Sequence, residues 1–320
     1  MRTALITGIT GQTGSYLCEE LVADGWSVHG MVRDSDDLEA DLHSRCPSAV
    51  LHHGDLADTA LLGRLVGDIR PDAIFNLGGL TSVGLSWEQP DLTARITGLA
   101  VATLLEAAAA VQAERGSAVS FVQASSAEMF GNATDVPQTE RTSIAPVNPY
   151  GAAKAYAHHL VGVYRGTGLA ATSCILYNHE SPRRPPAFVT RKITAGVARI
   201  ARGMSDSLVL GNLDAERDWG WAPDYAHALA LAASGQPGDY IVATGVPHTV
   251  RDFVAAAFSA VGIEDWAPLV RQDAAFMRPQ DAPTLVGDAA KARRVLGWEP
   301  TLGFDAIVSA MVEADLELLG

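Results

Sequence analysis

Tyr150 and Lys154 are four residues apart in a stretch with helical periodicity, so one turn of helix places both side chains on one face. An ammonium beneath a phenol stabilises the phenolate. The tyrosine can then take a proton from a substrate hydroxyl near neutral pH. Ser125-Ser126-Ala127-Glu128 ends a predicted strand, at the edge where open sheets place their ligands. The Ser126 hydroxyl can bridge the tyrosine and a substrate oxygen. Beside a nicotinamide, Ser126, Tyr150 and Lys154 suit reversible hydride transfer at a secondary alcohol. Glu128 adds a carboxylate to this cluster, unless it only caps a turn. The Tyr-xxx-Lys spacing alone is a weak signal. It gains weight from the hydroxyl cluster and from a dinucleotide fingerprint ahead of it.

That fingerprint lies between Thr3 and Gly14. Ala4-Leu5-Ile6 is a short apolar run; Gly8, Gly11 and Gly14 follow at spacings of three. Tyr16, Leu17, Leu21 and Val22 then fall on one helical face. Strand, glycine turn and helix cradle a dinucleotide pyrophosphate, with Gly8, Gly11, Gln12, Thr13 and Gly14 as the contact residues. A second strand, Ser27 to Val32, ends next to Arg33. An acidic residue at that strand end would bind the ribose 2′-hydroxyl of NAD, whereas an arginine favours the 2′-phosphate of NADP. NADP is therefore the expected cofactor. Asp34 weakens that preference and keeps NAD as the alternative. A third strand, Ala49 to His52, leads to Asp55 and Leu56 at the expected adenine side, where Asp55 can also merely cap a turn. Leu77 and Gly78 close a fourth strand, Ala73 to Leu77, where the cofactor backbone approaches.

Strands at Val119–Gln123 and Ala170–Leu176 continue the alternation with helices at Thr59–Ile69, Leu92–Ala113 and Tyr150–Tyr164. The expected fold is α/β: a doubly wound, mostly parallel Rossmann-type sheet over 1–177. A smaller mixed α/β substrate-binding domain is expected over 178–320, with some segments returning to the main sheet. A net charge of −14 argues against nucleic acid as a partner, though local arginines can still bind an anionic substrate. Cys18, Cys46 and Cys174 have no metal-ligand spacing, and no metal is expected. The predicted first strand begins too early for a signal peptide, and no apolar run is read as reaching the roughly 18 residues of a membrane span. The expected compartment is the cytoplasm. The apolar helices Leu92–Ala113 and Ala152–Tyr164 can build a two-fold helix bundle, so a homodimer or homotetramer is expected.

These pieces resemble the extended short-chain dehydrogenase/reductases, and within them the GDP-mannose 4,6-dehydratases, nearly end to end. Ala4 to Gln12, Asn76-Leu77-Gly78, Gln123-Ala124-Ser125 and Pro149 to Lys154 carry the broad resemblance. Asn178 to Arg184, Phe188 to Ile193 and Leu210 to Gly220 carry the narrower one. The resemblance implies that Tyr150 deprotonates the mannose 4-hydroxyl while C4 gives hydride to NADP. Lys154 lowers the tyrosine pKa and contacts the nicotinamide ribose. Glu128 takes the C5 proton and helps water leave from C6. The hydride returns to C6, giving GDP-4-keto-6-deoxymannose. Asn178, Lys192, Leu210, Gly211, Arg217 and Arg278 are the expected contacts to the nucleotide-diphosphate sugar. Arg183 and Arg184 can reach a neighbouring subunit's cofactor. The chain departs from the family at Ser126 (threonine), Ala127 (serine), Phe130 (tyrosine) and Asp34 (a second arginine). Leu80-Thr81-Ser82 replaces a more polar stretch. The competing readings are a 4-ketoreductase or epimerase, which would leave Glu128 idle, and a silent dinucleotide-binding regulator.

Overall fold

The computed structural model describes residues 1–34, 37–273 and 284–320. Its first part comprises β1 (Thr3–Thr7), α1 (Gln12–Ala23), β2 (Ser27–Val32), α2 (Glu39–Arg45), β3 (Val50–His53), α3 (Thr59–Ile69) and β4 (Ala73–Asn76). Then come α4 (Val83–Glu88) and α5 (Pro90–Thr93), which passes through a π-helical turn, Ala94–Leu99, into α6 (Ala100–Arg115). β5 (Ser120–Ser126), α7 (Pro149–Gly166) and β6 (Ala170–Leu176) complete it. The second part holds β7 (Asn178–Glu180), α8 (Val189–Ala201), β8 (Leu208–Leu210), β9 (Glu216–Trp221), α9 (Ala222–Ser234) and β10 (Asp239–Val242). β11 (Pro247–Thr249), α10 (Val250–Ser259), β12 (Val270–Gln272), α11 (Ala290–Leu296) and α12 (Phe304–Leu318) end the chain.

Seven parallel strands form the main sheet in the order β10-β6-β5-β4-β1-β2-β3. Neighbouring residues of each central strand bury on opposite faces. Ala4 and Ile6 pack with Leu17 and Leu21 of α1 and Leu229 of α9, whereas Leu5 packs with Leu62 of α3 and Leu104 of α6. Phe75 and Val122 follow the first group, Ile74 and Phe121 the second. Two covered faces explain why these strands are apolar runs rather than alternating ones. The strand order reverses between β1 and β4, and ligands of such sheets lie at that crevice, beyond the strand C-termini.

β10 belongs to this sheet although it follows residue 178 in sequence. The rest of the second part has its own core, in which Ile193 of α8, Trp219 of β9, Phe253 of α10 and Met311 of α12 are buried. Its three-stranded sheet, β11-β9-β7, was not expected from the sequence. The polar run Glu216-Arg217-Asp218 resembles a loop by composition. It forms a strand because its charges find partners. Asp218, fully buried, accepts from the Thr244 and Gly245 N–H groups at 2.9 and 2.8 Å and from the Thr244 hydroxyl at 2.6 Å.

The helix expected over Leu92–Ala113 is longer than that, running unbroken through residues 90–115. By length and composition it is apolar enough to cross a bilayer, contrary to the expectation that no segment was. Ala100, Val101, Leu104, Leu105, Ala108 and Val111 are buried in the domain core, which accounts for that composition. Leu99 of the π turn and Tyr156 and Val163 of α7 remain exposed.

Candidate active site

The glycine turn after β1 is as tight as its spacing implies. Gly8 has φ +69°, and a Cβ there would sit 2.8 Å from the Gly78 Cα. At Gly14 a Cβ would sit 2.2 Å from the Gly8 carbonyl oxygen. The Gly11 N–H donates to that same oxygen at 3.1 Å, and Gly11 starts α1 with no side chain to cap it. The first N–H groups of α1, on Gln12, Thr13 and Gly14, are thus offered outward, as a phosphate requires.

The side chains of Gln12 and Thr13 face elsewhere. The Gln12 amide donates to the His179 carbonyl at 2.9 Å and accepts from the Ser181 hydroxyl at 2.8 Å. Thr13 Oγ1 lies 2.7 Å from His179 Nε2, and His179 Nδ1 lies 2.8 Å from the Tyr177 carbonyl. A carbonyl only accepts, so Nδ1 carries the proton and Nε2 accepts from Thr13. Burial pushes the His179 pKa down to about 4, which keeps the ring neutral. This joint ties the phosphate turn to β7.

Arg33 is exposed at the end of β2, and Asp34 approaches His53 Nδ1 at 3.5 Å. Asp55 accepts from the Ala57 N–H at 2.8 Å, the turn-capping role the sequence left open. Leu56 packs where a Gly78 Cβ would be, 2.6 Å from its Cδ1. Leu77 bonds to the Thr7 carbonyl at 3.2 Å, and the Gly78 N–H to the Thr7 hydroxyl at 3.0 Å. That hydroxyl donates to Asn76 Oδ1 at 2.7 Å, and Asn76 Nδ2 donates to Gln123 Oε1 at 2.8 Å. A buried polar row therefore crosses β1, β4 and β5 directly below the crevice.

Ser126, Glu128, Tyr150 and Lys154 come together at the end of β5 and the start of α7. Ser126 Oγ accepts from the Glu128 N–H at 3.2 Å and also hydrogen-bonds Tyr150. Glu128 Oε2 accepts from Asn148 Nδ2 at 2.9 Å. Lys154, 2% exposed, donates from Nζ to the Ala124 carbonyl at 2.6 Å and lies 5.8 Å from the Tyr150 ring centre. Burial pushes its pKa down to about 8.

Burial pushes the Tyr150 phenol up to about 12, and the Glu128 charge adds to that rise. The opposing influences are the Ser126 hydrogen bond and the Arg184 charge. Desolvation dominates a side chain this enclosed, and the Lys154 ammonium is engaged by a carbonyl.

On the substrate side, Asn178 of β7 pairs with Trp219 of β9, two residues from Arg217. Arg217 is 6% exposed and donates to the Glu216 carbonyl at 2.6 Å. Leu210 and Gly211 close β8; the Leu210 carbonyl accepts from Asp273 N–H at 2.9 Å, and the Gly211 carbonyl from Gln272 Nε2 at 3.0 Å. Burial lowers the Lys192 amine while the Asp273 charge raises it, so α8 and the end of β12 converge there. Arg278 lies outside the described residues. Arg183 and Arg184 both make contacts within their own chain. Arg183 binds Glu19 at 2.7 Å and stacks on Tyr16 at 3.7 Å. Arg184 pairs with Glu180 at 3.2 Å and stacks on Phe188 at 3.7 Å. Each guanidinium finds a carboxylate and an aromatic face within its own chain.

The chain is similar to known proteins over nearly its whole length. The family model described as GDP-mannose 4,6 dehydratase matches residues 5–311. The Arabidopsis thaliana protein GDP-mannose 4,6 dehydratase 1 is 43% identical across 99% of this chain and 90% of that protein. The chain belongs to the GDP-mannose 4,6-dehydratase family. The Yersinia enterocolitica GDP-mannose 4,6-dehydratase is 41% identical, covering 99% of this chain and 94% of that one. Among solved structures, the Thermus thermophilus UDP-glucose 4-epimerase in complex with NAD has a TM-score of 0.84 at 27% identity, covering 98% of each chain.

Several departures from the dehydratase pattern now have a local reason. Ser126 lacks the methyl group that would restrain a threonine rotamer, but the Glu128 N–H and Tyr150 hold its hydroxyl instead. Ala127 and Phe130 are buried, at 2% and 1% exposure, where an apolar side chain needs no partner. Ser82 accepts from Leu85 N–H at 3.2 Å and caps α4. Two residues here were not assigned roles from the sequence, Asn148 and His179, and Arg184 was given a different one. Asn148 had a local signal, since it precedes Pro149 at a helix start, whereas His179 and Arg184 were marked only as part of the stretch Asn178 to Arg184.

Proposed function

We propose that this chain converts GDP-mannose to GDP-4-keto-6-deoxymannose, with Ser126, Glu128, Tyr150 and Lys154 as its working residues. The observation that carries the reading is a carboxylate, Glu128, fixed beside the Ser126–Tyr150 pair on a dehydratase scaffold. A reductase or epimerase has no step for it. A nicotinamide dinucleotide, when bound, supplies the hydride acceptor for C4 and the hydride returned to C6. The uncapped α1 N-terminus and the Gly8–Gly14 approach suit its pyrophosphate.

Tyr150 takes the 4-hydroxyl proton, with Ser126 bridging to the same oxygen. Lys154 contributes positive charge behind the ring, as an ammonium below about pH 8. The new 4-keto group acidifies C5–H. Glu128 removes that proton and protonates the departing 6-hydroxyl, so a C5–C6 double bond forms and water leaves. Hydride addition at C6 is then balanced by a proton at C5. In deuterium oxide the product should therefore carry solvent deuterium at C5, with no net consumption of reduced cofactor; NMR and mass spectrometry read both. Intact GDP-mannose, with reduction of a 4-keto nucleotide sugar at NADPH's expense, would establish a 4-ketoreductase instead.

The proposed cofactor is NADP. Arg33 follows the end of β2, the strand end at which an arginine favours a 2′-phosphate, and Asp34 beside it lies 3.5 Å from His53 Nδ1. Calorimetric titration of the cofactor-free protein should give NADP+ the tighter binding by about tenfold, the worth of one charge-assisted contact. Arg33→Ala should remove most of that difference. Tighter binding of NAD+ by the parent protein would reverse the assignment.

A further inference from the structure

Asn148 is 5% exposed and sits at the junction of the two halves of the catalytic cluster. Its Oδ1 accepts from the Gly151 N–H at 2.7 Å, which caps α7, the helix of Tyr150 and Lys154. Its Nδ2 donates to Glu128 Oε2 at 2.9 Å. The cap fixes which end of the amide faces the carboxylate. A flipped amide would set Oδ1 against a carboxylate oxygen and Nδ2 against an N–H, so neither bond could form. We propose that Asn148 is a positioning residue for Glu128: one amide caps the helix of the phenolic base and orients the carboxylate that removes the C5 proton. The inference rests on the dehydratase reading above.

Backbone packing makes the junction stiff. The Ala145 N–H donates to the Met129 carbonyl at 3.1 Å, and the Asn132 N–H to the Ala145 carbonyl at 3.0 Å. The segment entering α7 is thus tied to the turn that carries Glu128. Gly151 has no Cβ where one would lie 2.5 Å from the Glu128 carbonyl oxygen. The Asn148 bond occupies Oε2 and leaves Oε1 to meet C5–H. Tyr150 of α7 is within electrostatic reach of this carboxylate, and Tyr150 in turn faces Lys154 of the same helix and the Arg184 charge from the segment after β7. Asn148 adds a neutral side-chain donor that fixes the direction in which the carboxylate points.

Asn148→Ser and Asn148→Asp test this, because serine and aspartate both cap helices well. Serine is too short to bridge to Glu128. Aspartate replaces the donor with a second carboxylate. Both variants should keep thermal unfolding midpoints close to that of the parent protein. In Asn148→Ser, C4 oxidation should continue, while C5 deuterium incorporation slows roughly 10- to 100-fold with KM little changed. Reduced cofactor should then build up during a single turnover. In Asn148→Asp the acid limb of the elimination rate should move up by about one pH unit, since like charge disfavours the anion. Parent-like incorporation rates and pH profiles in both stable variants would overturn the proposal. The clamp can also be read without any substrate: the Asn148 side-chain amide proton resonance should shift in Glu128→Ala. An unchanged resonance would refute the contact itself. Failure of the parent protein to label C5 would count against the dehydratase reading and leave the resonance to decide the clamp.

Discussion

Glu128→Gln should leave C4 oxidation close to that of the parent protein while cutting elimination about a thousandfold, within the usual range for loss of a general base. Glutamine keeps the side chain's size, and its carbonyl oxygen can still accept from Asn148 Nδ2. What it loses is the ability to take a proton. The variant mixed with GDP-mannose should therefore show reduced cofactor approaching one equivalent per active site, with little water lost and little C5 deuterium. The expected change in cofactor affinity is small, because Glu128 lies beyond the strand end that carries the crevice, at its substrate edge. Equal loss of oxidation and elimination would mean that Glu128 serves the first step too, and the division of labour drawn above would fail. Parent-like elimination would identify the carboxylate as the turn cap that the sequence also allowed.

What the sequence disclosed and what it hid divide along a physical line. Gly8, Gly11 and Gly14, and Tyr150 with Lys154, are local patterns whose geometry is set by one turn or one helix. The apolar runs of β1 and β4 to β6 announce a doubly covered parallel sheet for the same reason. Arg184 and His179 fall within the stretch Asn178 to Arg184 that carries the family resemblance, but the contacts they make belong to no local periodicity. His179 matters because β7 brings it to Thr13, 166 residues earlier in the chain, and Arg184 because its charge reaches Tyr150. Partners so far apart leave no periodic trace in a single sequence. The β7–β9–β11 sheet was hidden by its charges, since composition does not reveal that Asp218 is fully bonded. The burial of Tyr150 was not legible because a residue pattern reports neighbours and not desolvation. Burial outweighs the favourable influences of Ser126 and Arg184 on that phenol.

Tyr150→Phe should abolish the opposite half of the chemistry. Phenylalanine preserves the buried ring, so packing of the 8%-exposed side chain against its neighbours is retained. Only the hydroxyl is lost, and with it the base for the 4-hydroxyl proton. C4 oxidation should fall by about 10²- to 10⁴-fold, the range for a positioned proton acceptor, with substrate affinity little changed. Supplying GDP-4-keto-6-deoxymannose separates this role from that of Glu128. Its C5 proton is already acidified by a carbonyl, so its exchange with solvent deuterium needs a base at C5 and no oxidation. Tyr150→Phe should therefore catalyse that exchange at a rate within about threefold of the parent enzyme, while Glu128→Gln should lose it, the difference again being one general base. The two substitutions then fail in complementary assays, which a general collapse of the site cannot imitate. Loss of C5 exchange in Tyr150→Phe, with the fold intact by circular dichroism, would show instead that the phenol and the carboxylate act as one unit. In that case the Ser126 hydroxyl, bonded to both the Tyr150 side chain and the Glu128 N–H, is the link through which they do so.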